Sequence, residues 1–265
     1  MNTVGNGVVS RRGPGRCSVL LLIAAQAEAD ALRLKPAQPA GARPADLGGG
    51  LSLLVAGVGQ SGDGPVRRWL EGLRPELVVN VGFAGALDPS LAAGSLHVVD
   101  RWVDPEPPYA DVARSSRTYA AALIGELSRN RVEAPRISAI TVEDPFHDAA
   151  AGRDLARASG AGLVEMEGAR WARAAVVVGA AHVALRVVSD HADLRLPRPR
   201  HELLGIDGRV RWSRWAGAMA GRRGHGGWAY ELSSLRRART DWQRALATMA
   251  ALGELLPAVC RAIVE

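Results

Sequence analysis

Short runs of four to eight apolar residues recur along the chain, with polar segments between them. Runs of this length without strict alternation are typical of strands that are buried on both faces. When such strands alternate with helices, they indicate a mainly parallel sheet that is covered by those helices. The predicted strands are Val19–Ile23, Leu51–Ala56, Leu77–Val81, Leu96–Val99, Ile137–Val142, Leu163–Met166 and His182–Val188.

The segments between these runs are predicted to be helices. They are Glu28–Leu34, Pro65–Leu73, Tyr119–Ser128, Ala149–Ala158 and Gly168–Val178, while Pro36–Gly50 is predicted to be a loop. The pattern predicts an α/β fold of three layers, with a mainly parallel or mixed central sheet flanked by helices. Since 48% of the 265 residues are hydrophobic, the chain can bury one large core. Residues 18–265 are therefore predicted to form a single domain.

Residues 194–245 form a basic extension of this domain. The segment 195–244 contains twelve Arg and only four acidic residues, and three of the seven Trp, namely Trp212, Trp215 and Trp228, lie in its middle. A solvated charged face is the default interpretation, and peripheral contact with an anionic membrane is the alternative. Nucleic acid is not an expected partner, because no recognition motif accompanies the charge. A closing helix is predicted over 229–264, where apolar residues recur at spacings of three, four or seven.

Residues 1–17 are predicted to be a disordered leader. The stretch SRRGPGRCSVLLLIAAQA resembles an export signal, but its apolar run is at the short end of the ~7–15 residues that such signals need. No apolar run approaches the ~20 residues that cross a bilayer. The two Cys, Cys17 and Cys260, have neither a disulfide nor a zinc spacing, which fits a reducing compartment. A cytoplasmic location is predicted, with membrane association through the basic extension as the alternative.

Glycines and carboxylates follow four of the predicted strands. They are Gly57 and Gly59, the turn formed by Gly82, Phe83, Ala84 and Gly85, the carboxylate Glu167, and the carboxylate Asp190 with Ser189 before it. In open α/β sheets, ligands bind beyond the carboxyl ends of the strands. Glycines at such ends allow the backbone to approach a ligand closely, because they have no Cβ. We therefore expect these residues to border one site.

The residue types in this set suit the cleavage of a bond between a sugar and a nitrogen. An ionised Glu167 only accepts hydrogen bonds, which suits a pair of sugar hydroxyls, and Asp190 can protonate the leaving group. The transition state of such a reaction resembles an oxocarbenium ion and also needs a nucleophile. Alternatively, both carboxylates could be helix N-caps. Glu165 is interpreted as a surface or ion-paired residue, and His191 as structural.

Four motifs in this order resemble the nucleoside phosphorylase-I superfamily, which includes methylthioadenosine/S-adenosylhomocysteine nucleosidases and purine nucleoside phosphorylases. They are GVG at 57–59, NVGFAGALDP at 80–89, VEMEG at 164–168 and RVVSDHAD at 186–193. The basic extension is similar to that of the hopanoid-associated phosphorylases, a branch that acts on adenosylhopane. The resemblance implies an enzyme that releases adenine from an adenine nucleoside. It also implies a homodimer.

The resemblance assigns roles to individual positions. Glu167 matches the residue that holds the ribose 2′- and 3′-hydroxyls, and Met166 lines the sugar. Asp190 matches the general acid that protonates purine N7, with Ser189 beside it. Phe146 falls where nucleosidases place an aromatic side chain against the base. The glycine turns, with Phe83 and Ala84, match segments that bind the substrate.

The nucleophile is less closely defined. Glu28 lies where nucleosidases keep the Glu that activates water, and Asp30 is the alternative because the register there is ambiguous. Hexameric phosphorylases carry an Arg for phosphate where this chain has Asn80, as nucleosidases do. Phe83 replaces the usual Ser of its turn, so a hydroxyl that could contact water or phosphate is missing.

Two questions of function stay open at this point. Both hydrolysis and phosphorolysis remain, with phosphate as a co-substrate in the second case and neither a cofactor nor a metal expected. A nucleoside-binding or membrane-associated protein that has lost catalysis is the alternative from another functional class.

Overall fold

Every predicted strand forms in the computed structural model, which describes residues 17–34, 42–143, 149–193 and 228–265. Burial on both faces explains the continuous apolar runs, and all five residues of the first strand are buried. The strands are β1 (Val19–Ile23), β2 (Ala45–Asp46), β3 (Leu51–Val55), β4 (Leu77–Ala86), β5 (Leu96–Val103), β6 (Asp111–Arg114), β7 (Arg136–Thr141), β8 (Leu163–Glu165) and β9 (Ala181–Asp190).

The predicted helices also form, with ends that shift by a few residues. They are α1 (Gln26–Ala31), α2 (Asp63–Leu73), α3 (Arg117–Arg129), α4 (Ala149–Ser159), α5 (Gly168–Val177) and α6 (Trp228–Ala262). A single 3₁₀ turn, Gly59–Gly62, leads into α2. The short α1 starts and ends before its predicted bounds, since Leu32 is already its C-cap.

The strands form one mixed sheet in the order β2-β3-β1-β4-β8-β7-β5-β6. Strand β9 pairs in parallel with β4 and antiparallel with β5. Since β4 also pairs with β8, β8 with β7, and β7 with β5, these five strands close into a ring. The predicted fold class, a three-layer α/β arrangement with a mainly parallel or mixed sheet, is confirmed.

Alternate residues of β1 point to opposite layers, as the two-residue period of a strand requires. Leu21 belongs to a core cluster with residues of α1, α3 and α6. Leu22 belongs to a second cluster with residues of α2 and α5. Helices therefore cover both faces of the sheet at β1.

Residues Arg236–Ala262 of α6 are long and apolar enough to cross a membrane, judged by length and composition alone. In this structure the apolar face of α6 packs in the same core cluster as Leu21. Its residues in that cluster are Ala245, Met249, Leu252, Leu256, Val259 and Cys260.

Two strands depart from the prediction. β2 lies within Pro36–Gly50, where the sequence predicts only a loop. β6 lies in a region where the sequence predicts no strand. Parts of three other predictions lie outside the described residues: residues 1–16 of the leader, Phe146, and residues 194–227 of the basic extension. Cys17, the last residue of the predicted leader, is buried beside β1.

Candidate active site

The carboxyl end of β4 is the centre of the candidate site, and Glu28 lies on one side of it. Glu28 Oε1 accepts a hydrogen bond from the Phe83 N–H at 2.8 Å. Gly82 is required here, because a Cβ at that position would be 2.7 Å from Glu28 Oε1. The absence of a side chain at Gly82 therefore lets the carboxylate reach the strand.

Glu28 is held from its own side of the site as well. Its Oε2 accepts hydrogen bonds from the backbone N–H groups of Ala24 at 3.1 Å and Ala25 at 2.9 Å. These bonds cap the start of α1, because the Glu28 side chain accepts from backbone N–H groups that have no partner within the helix. Burial raises the pKa of Glu28, although the hydrogen bonds oppose this shift. Asp30, the alternative candidate, is exposed and accepts a hydrogen bond from Gln26.

Asp190 lies on the other side of β4. The bulged pairing of β4 with β9 places Gly85 opposite Asp190, and a Cβ at Gly85 would lie 3.6 Å from each carboxylate oxygen. The Ser189 hydroxyl lies 3.1 Å from the Ala84 carbonyl oxygen and also within hydrogen-bond distance of Asp190 Oδ1. A hydroxyl has one proton, so it donates to one of these two acceptors at a time.

Glu167 faces the same region from the start of α5. Its Oε1 accepts a hydrogen bond from the Gly59 N–H at 2.6 Å. Burial, followed by repulsion from Glu165, raises the pKa of Glu167 to about 8, and the charge of Glu28 adds to this effect. Because the charge of Glu28 acts on Glu167, both carboxylates lie in one region.

Glu167 occupies the N-cap position of α5 but makes no capping hydrogen bond with its side chain. Glu165 performs that task instead, since its Oε2 accepts from the N–H of Glu167 at 3.1 Å and of Gly168 at 2.6 Å. The N-cap interpretation of Glu167 is therefore wrong for its side chain. The Glu167 carboxylate remains available for other contacts.

Glu165 is buried and ion-paired, so its interpretation as a surface residue is wrong and the ion-paired alternative is confirmed. Its Oε2 lies 2.9 Å from Arg186 Nη2, and both side chains are almost fully buried. Arg186 Nη2 also donates to Asn80 Oδ1, and the Asn80 amide donates to the Leu22 carbonyl oxygen at 3.1 Å. The Asn80 side chain thus bonds within the protein interior.

The glycine turn after β3 places Gly59 and Met166, two further predicted site residues, beside each other near Glu167. Gly57 has a φ of +118° and Gly59 a φ of +62°, values that favour glycine. A Cβ at Gly57 would be 2.9 Å from Ser61 Oγ. The Met166 side chain lies beside this turn, with its Cε 3.6 Å from the Cβ position of Gly59.

Phe83 connects the candidate site to α6, a contact that the sequence does not predict. Its ring packs against Trp242 at a centroid distance of 4.6 Å, with an angle of 47° between the rings. The structure therefore places Glu28 and Asp190 beside nearby residues of β4. It places Glu167 and Met166 beside the turn that contains Gly59, with the charge of Glu28 acting on Glu167. Phe146 lies outside the described residues.

The titration of Glu167 should make the protein less stable as the pH rises. Its folded pKa of about 8 is above the ordinary 4.5, so the folded state keeps a proton that the unfolded state has lost. This stabilisation is complete below pH ~4.5 and is lost as the pH rises through ~8, with a slope of at most ~1.4 kcal/mol per pH unit. In urea unfolding between pH 5 and 8, the free energy of unfolding of Glu167→Gln should fall less steeply with pH than that of the wild-type protein.

The matched control is Glu71→Gln, since Glu71 is an exposed residue of α2. This variant should keep the wild-type dependence of the free energy of unfolding on pH. A Glu167→Gln protein with the wild-type slope would show that Glu167 does not take up a proton on folding.

Residues 48–205, more than half of the chain, match the family described as the phosphorylase superfamily. No curated protein sequence matches the chain.

The fold is similar to three solved structures. The Campylobacter jejuni 5′-methylthioadenosine/S-adenosylhomocysteine nucleosidase has a TM-score of 0.63 at 12% identity, over 92% of this chain and 99% of that one. The S-adenosylhomocysteine nucleosidase of Streptococcus pyogenes has a TM-score of 0.56 at 18% identity, over 90% and 98%. The futalosine hydrolase of Helicobacter pylori has a TM-score of 0.54 at 18% identity, over 65% and 87%. The matched family and the shared fold agree, and the chain belongs to the phosphorylase superfamily.

Proposed function

We propose that the protein cleaves the N-glycosidic bond of an adenine nucleoside and releases adenine. One observation carries this proposal: the end of β4 is in contact with Glu28 on one side and with Asp190 on the other. Glu167 is coupled to Glu28 by charge and faces the glycine turn after β3. The site thus supplies a base, an acid and a group that accepts hydrogen bonds from a sugar.

In the proposed reaction, Asp190 donates a proton to purine N7 as the bond between ribose C1′ and N9 breaks. The electrons of that bond move into the purine, so neutral adenine leaves. A water oxygen bonds to C1′, and Glu28 accepts the proton that this water loses. The charges balance, because one carboxyl group gives up a proton and the other gains one. General acid and base steps of this kind each contribute ~10²–10⁴-fold.

Glu167 accepts hydrogen bonds from the ribose 2′- and 3′-hydroxyls in this proposal. Its high pKa in the free protein fits this role, because two hydroxyl donors would stabilise the ionised form. Met166 is proposed to contact the sugar, and Ser189 to orient Asp190 through its hydroxyl. The glycine turns that contain Gly57, Gly59 and Gly85 give the substrate room to approach the backbone.

Hydrolysis is favoured over phosphorolysis by the contacts of Asn80 and Arg186. The Asn80 amide donates to the protein backbone, and Arg186 forms a buried ion pair with Glu165. Both side chains are therefore engaged within the protein and do not form a phosphate-binding site. A carboxylate that can activate water is present in Glu28.

The proposed substrate is adenosylhopane, and its cleavage would be a step in hopanoid biosynthesis. This proposal rests on the similarity of the basic extension to that of the hopanoid-associated phosphorylases. Arg and Trp side chains there suit a substrate that is embedded in an anionic membrane, since each basic residue near such a surface contributes ~1 kcal/mol. Methylthioadenosine and S-adenosylhomocysteine are the alternative substrates. The homodimer and the cytoplasmic location stay predictions.

The deciding experiment measures adenine release by the purified protein. Methylthioadenosine, S-adenosylhomocysteine, adenosine and adenosylhopane are each incubated with and without phosphate, and adenine and the sugar product are quantified by mass spectrometry. We expect free ribosyl product without phosphate and the highest kcat/KM with adenosylhopane. A ribosyl phosphate would contradict hydrolysis, and no adenine under any condition would reject the enzyme.

A further inference from the structure

A buried carboxyl group of α6, Asp241, lies beside the end of β9 and is not part of the proposed mechanism. Its side chain is 2% exposed, and its Oδ1 lies 3.6 Å from His191 Nε2. Within the part of the chain that the structure describes, its Oδ2 has no hydrogen-bond partner. Since His191 directly follows Asp190, the pair joins α6 to the end of β9.

Contacts of the residues that follow Asp241 hold this part of α6 in place. The next residue, Trp242, packs against Phe83 of β4. Arg244 lies about one turn after Asp241, and a Cβ at Gly94 would be 3.1 Å from its Cβ. Thr248, about two turns after Asp241, donates from Oγ1 to the Gly94 carbonyl oxygen at 2.7 Å. The backbone of α6 at Asp241 therefore cannot shift without disturbing these contacts.

Four charged or titratable groups act on Asp241. Burial raises its pKa, and the charge of Asp190 raises it further, while His191, Arg244 and Arg237 oppose this shift. Arg237 is also shared, because its Nη1 lies 3.3 Å from Asp193 Oδ2. The charge of Asp190 therefore disfavours proton loss from Asp241.

A buried carboxyl oxygen without a hydrogen bond is a cost to the folded state. Polar groups of this kind call for a physical explanation, and catalysis is one of those available. An apolar or amide side chain would suit the core-facing side of α6 better than the carboxylate does. Because Asp241 lies beside the end of β9, its carboxylate can hold the residues next to Asp190 in place.

We propose that Asp241 and His191 form a positioning pair that orients the carboxyl group of Asp190. The inference rests on the proposed role of Asp190 as the general acid. The imidazole links the end of β9 to a fixed point on α6, and so limits the directions in which the Asp190 carboxyl group can point.

The test compares Asp241→Asn with the wild-type protein, and Asp193→Asn is the matched control because Asp193 is exposed on the same segment. kcat and KM for adenine release are measured from pH 5 to 10. In Asp241→Asn, kcat should fall about tenfold over this range, because the imidazole loses its carboxylate partner on α6. KM should change little, and the melting temperature should stay equal or rise. Asp193→Asn should keep the wild-type kcat and KM.

A second variant, His191→Gln, removes the imidazole but keeps the carboxylate. It should lower kcat about tenfold over the whole pH range, because the end of β9 loses its link to α6, an effect comparable to the loss of a group that supports a catalytic residue. Wild-type kcat values in both variants would overturn the inference. So would equal losses of melting temperature and activity at every pH. A wild-type protein that releases no adenine would instead reject the proposed function, and the inference with it.

Discussion

Replacing Asp190 by Asn should lower kcat for adenine release by about 10²–10⁴-fold, the usual contribution of a general acid. Asn has nearly the same shape but carries no acidic proton, so adenine would have to leave as an anion. Ser189 and the β4 backbone at Ala84 and Gly85 should still hold the side chain in place. We therefore expect KM to change far less than kcat in a steady-state assay.

Binding and folding of this variant are checked separately from turnover. Adenine should raise the melting temperature of Asp190→Asn as much as it raises that of the wild-type protein. Asp193→Asn again serves as the control for an Asp change on the same segment. Wild-type kcat in Asp190→Asn would mean that another group protonates the base. Stabilisation of the wild-type protein by adenine without any turnover would favour a nucleoside-binding protein that lacks catalysis.

Replacing Gly253 by Ala should destabilise the fold by about 3 kcal/mol or more, at the upper end of overpacking effects. Gly253 lies on α6 where that helix crosses the end of α1, and a Cβ there would be 1.9 Å from the Leu32 carbonyl oxygen. The atoms in the way belong to the backbone, so no side-chain rotation can relieve the clash. A loss of this size corresponds to a melting temperature lower by ~6–12 °C.

The matched control is Gly125→Ala in the middle of α3. No atom lies within 4 Å of the Cβ position of Gly125, so an added methyl group meets nothing. Because Ala is the better helix former, this variant should gain ~0.5–1 kcal/mol. Calorimetry on both variants separates the clash from the change in helix propensity. Equal melting temperatures for Gly253→Ala and the wild-type protein would mean that α6 packs less closely on α1.

The sequence predicts most strands because they are buried on both faces and so lack any alternation. β6 escapes the prediction for the opposite reason, since it is a short polar strand whose residues are exposed or half-buried. The ring of β4, β8, β7, β5 and β9 also escapes it. Apolar runs carry no information on strand direction, and the ring depends on the antiparallel pairs β4–β8 and β5–β9.

The sequence predicts candidate site residues because they follow separate strands, in an order that resembles a known family. The sequence does not predict the contacts that support these residues, although it contains one sign of a buried ion pair. Arg186 interrupts the apolar run of β9, and a charge in a buried strand requires a buried partner, which is Glu165. Nothing comparable marks Asp241, because an acidic residue in a helix rich in Arg and Leu is typical of a solvated face. Its partner His191 lies fifty residues earlier in the chain.

Ring closure leaves only β2 and β6 at the ends of the strand order. β2 has two residues, and β6 carries Asp111 and Arg114, which form an ion pair with each other. Short and charged edge strands are poor templates for the addition of a strand from another molecule. Among the described residues, the sheet thus offers little opportunity for edge-to-edge aggregation, even at high protein concentration.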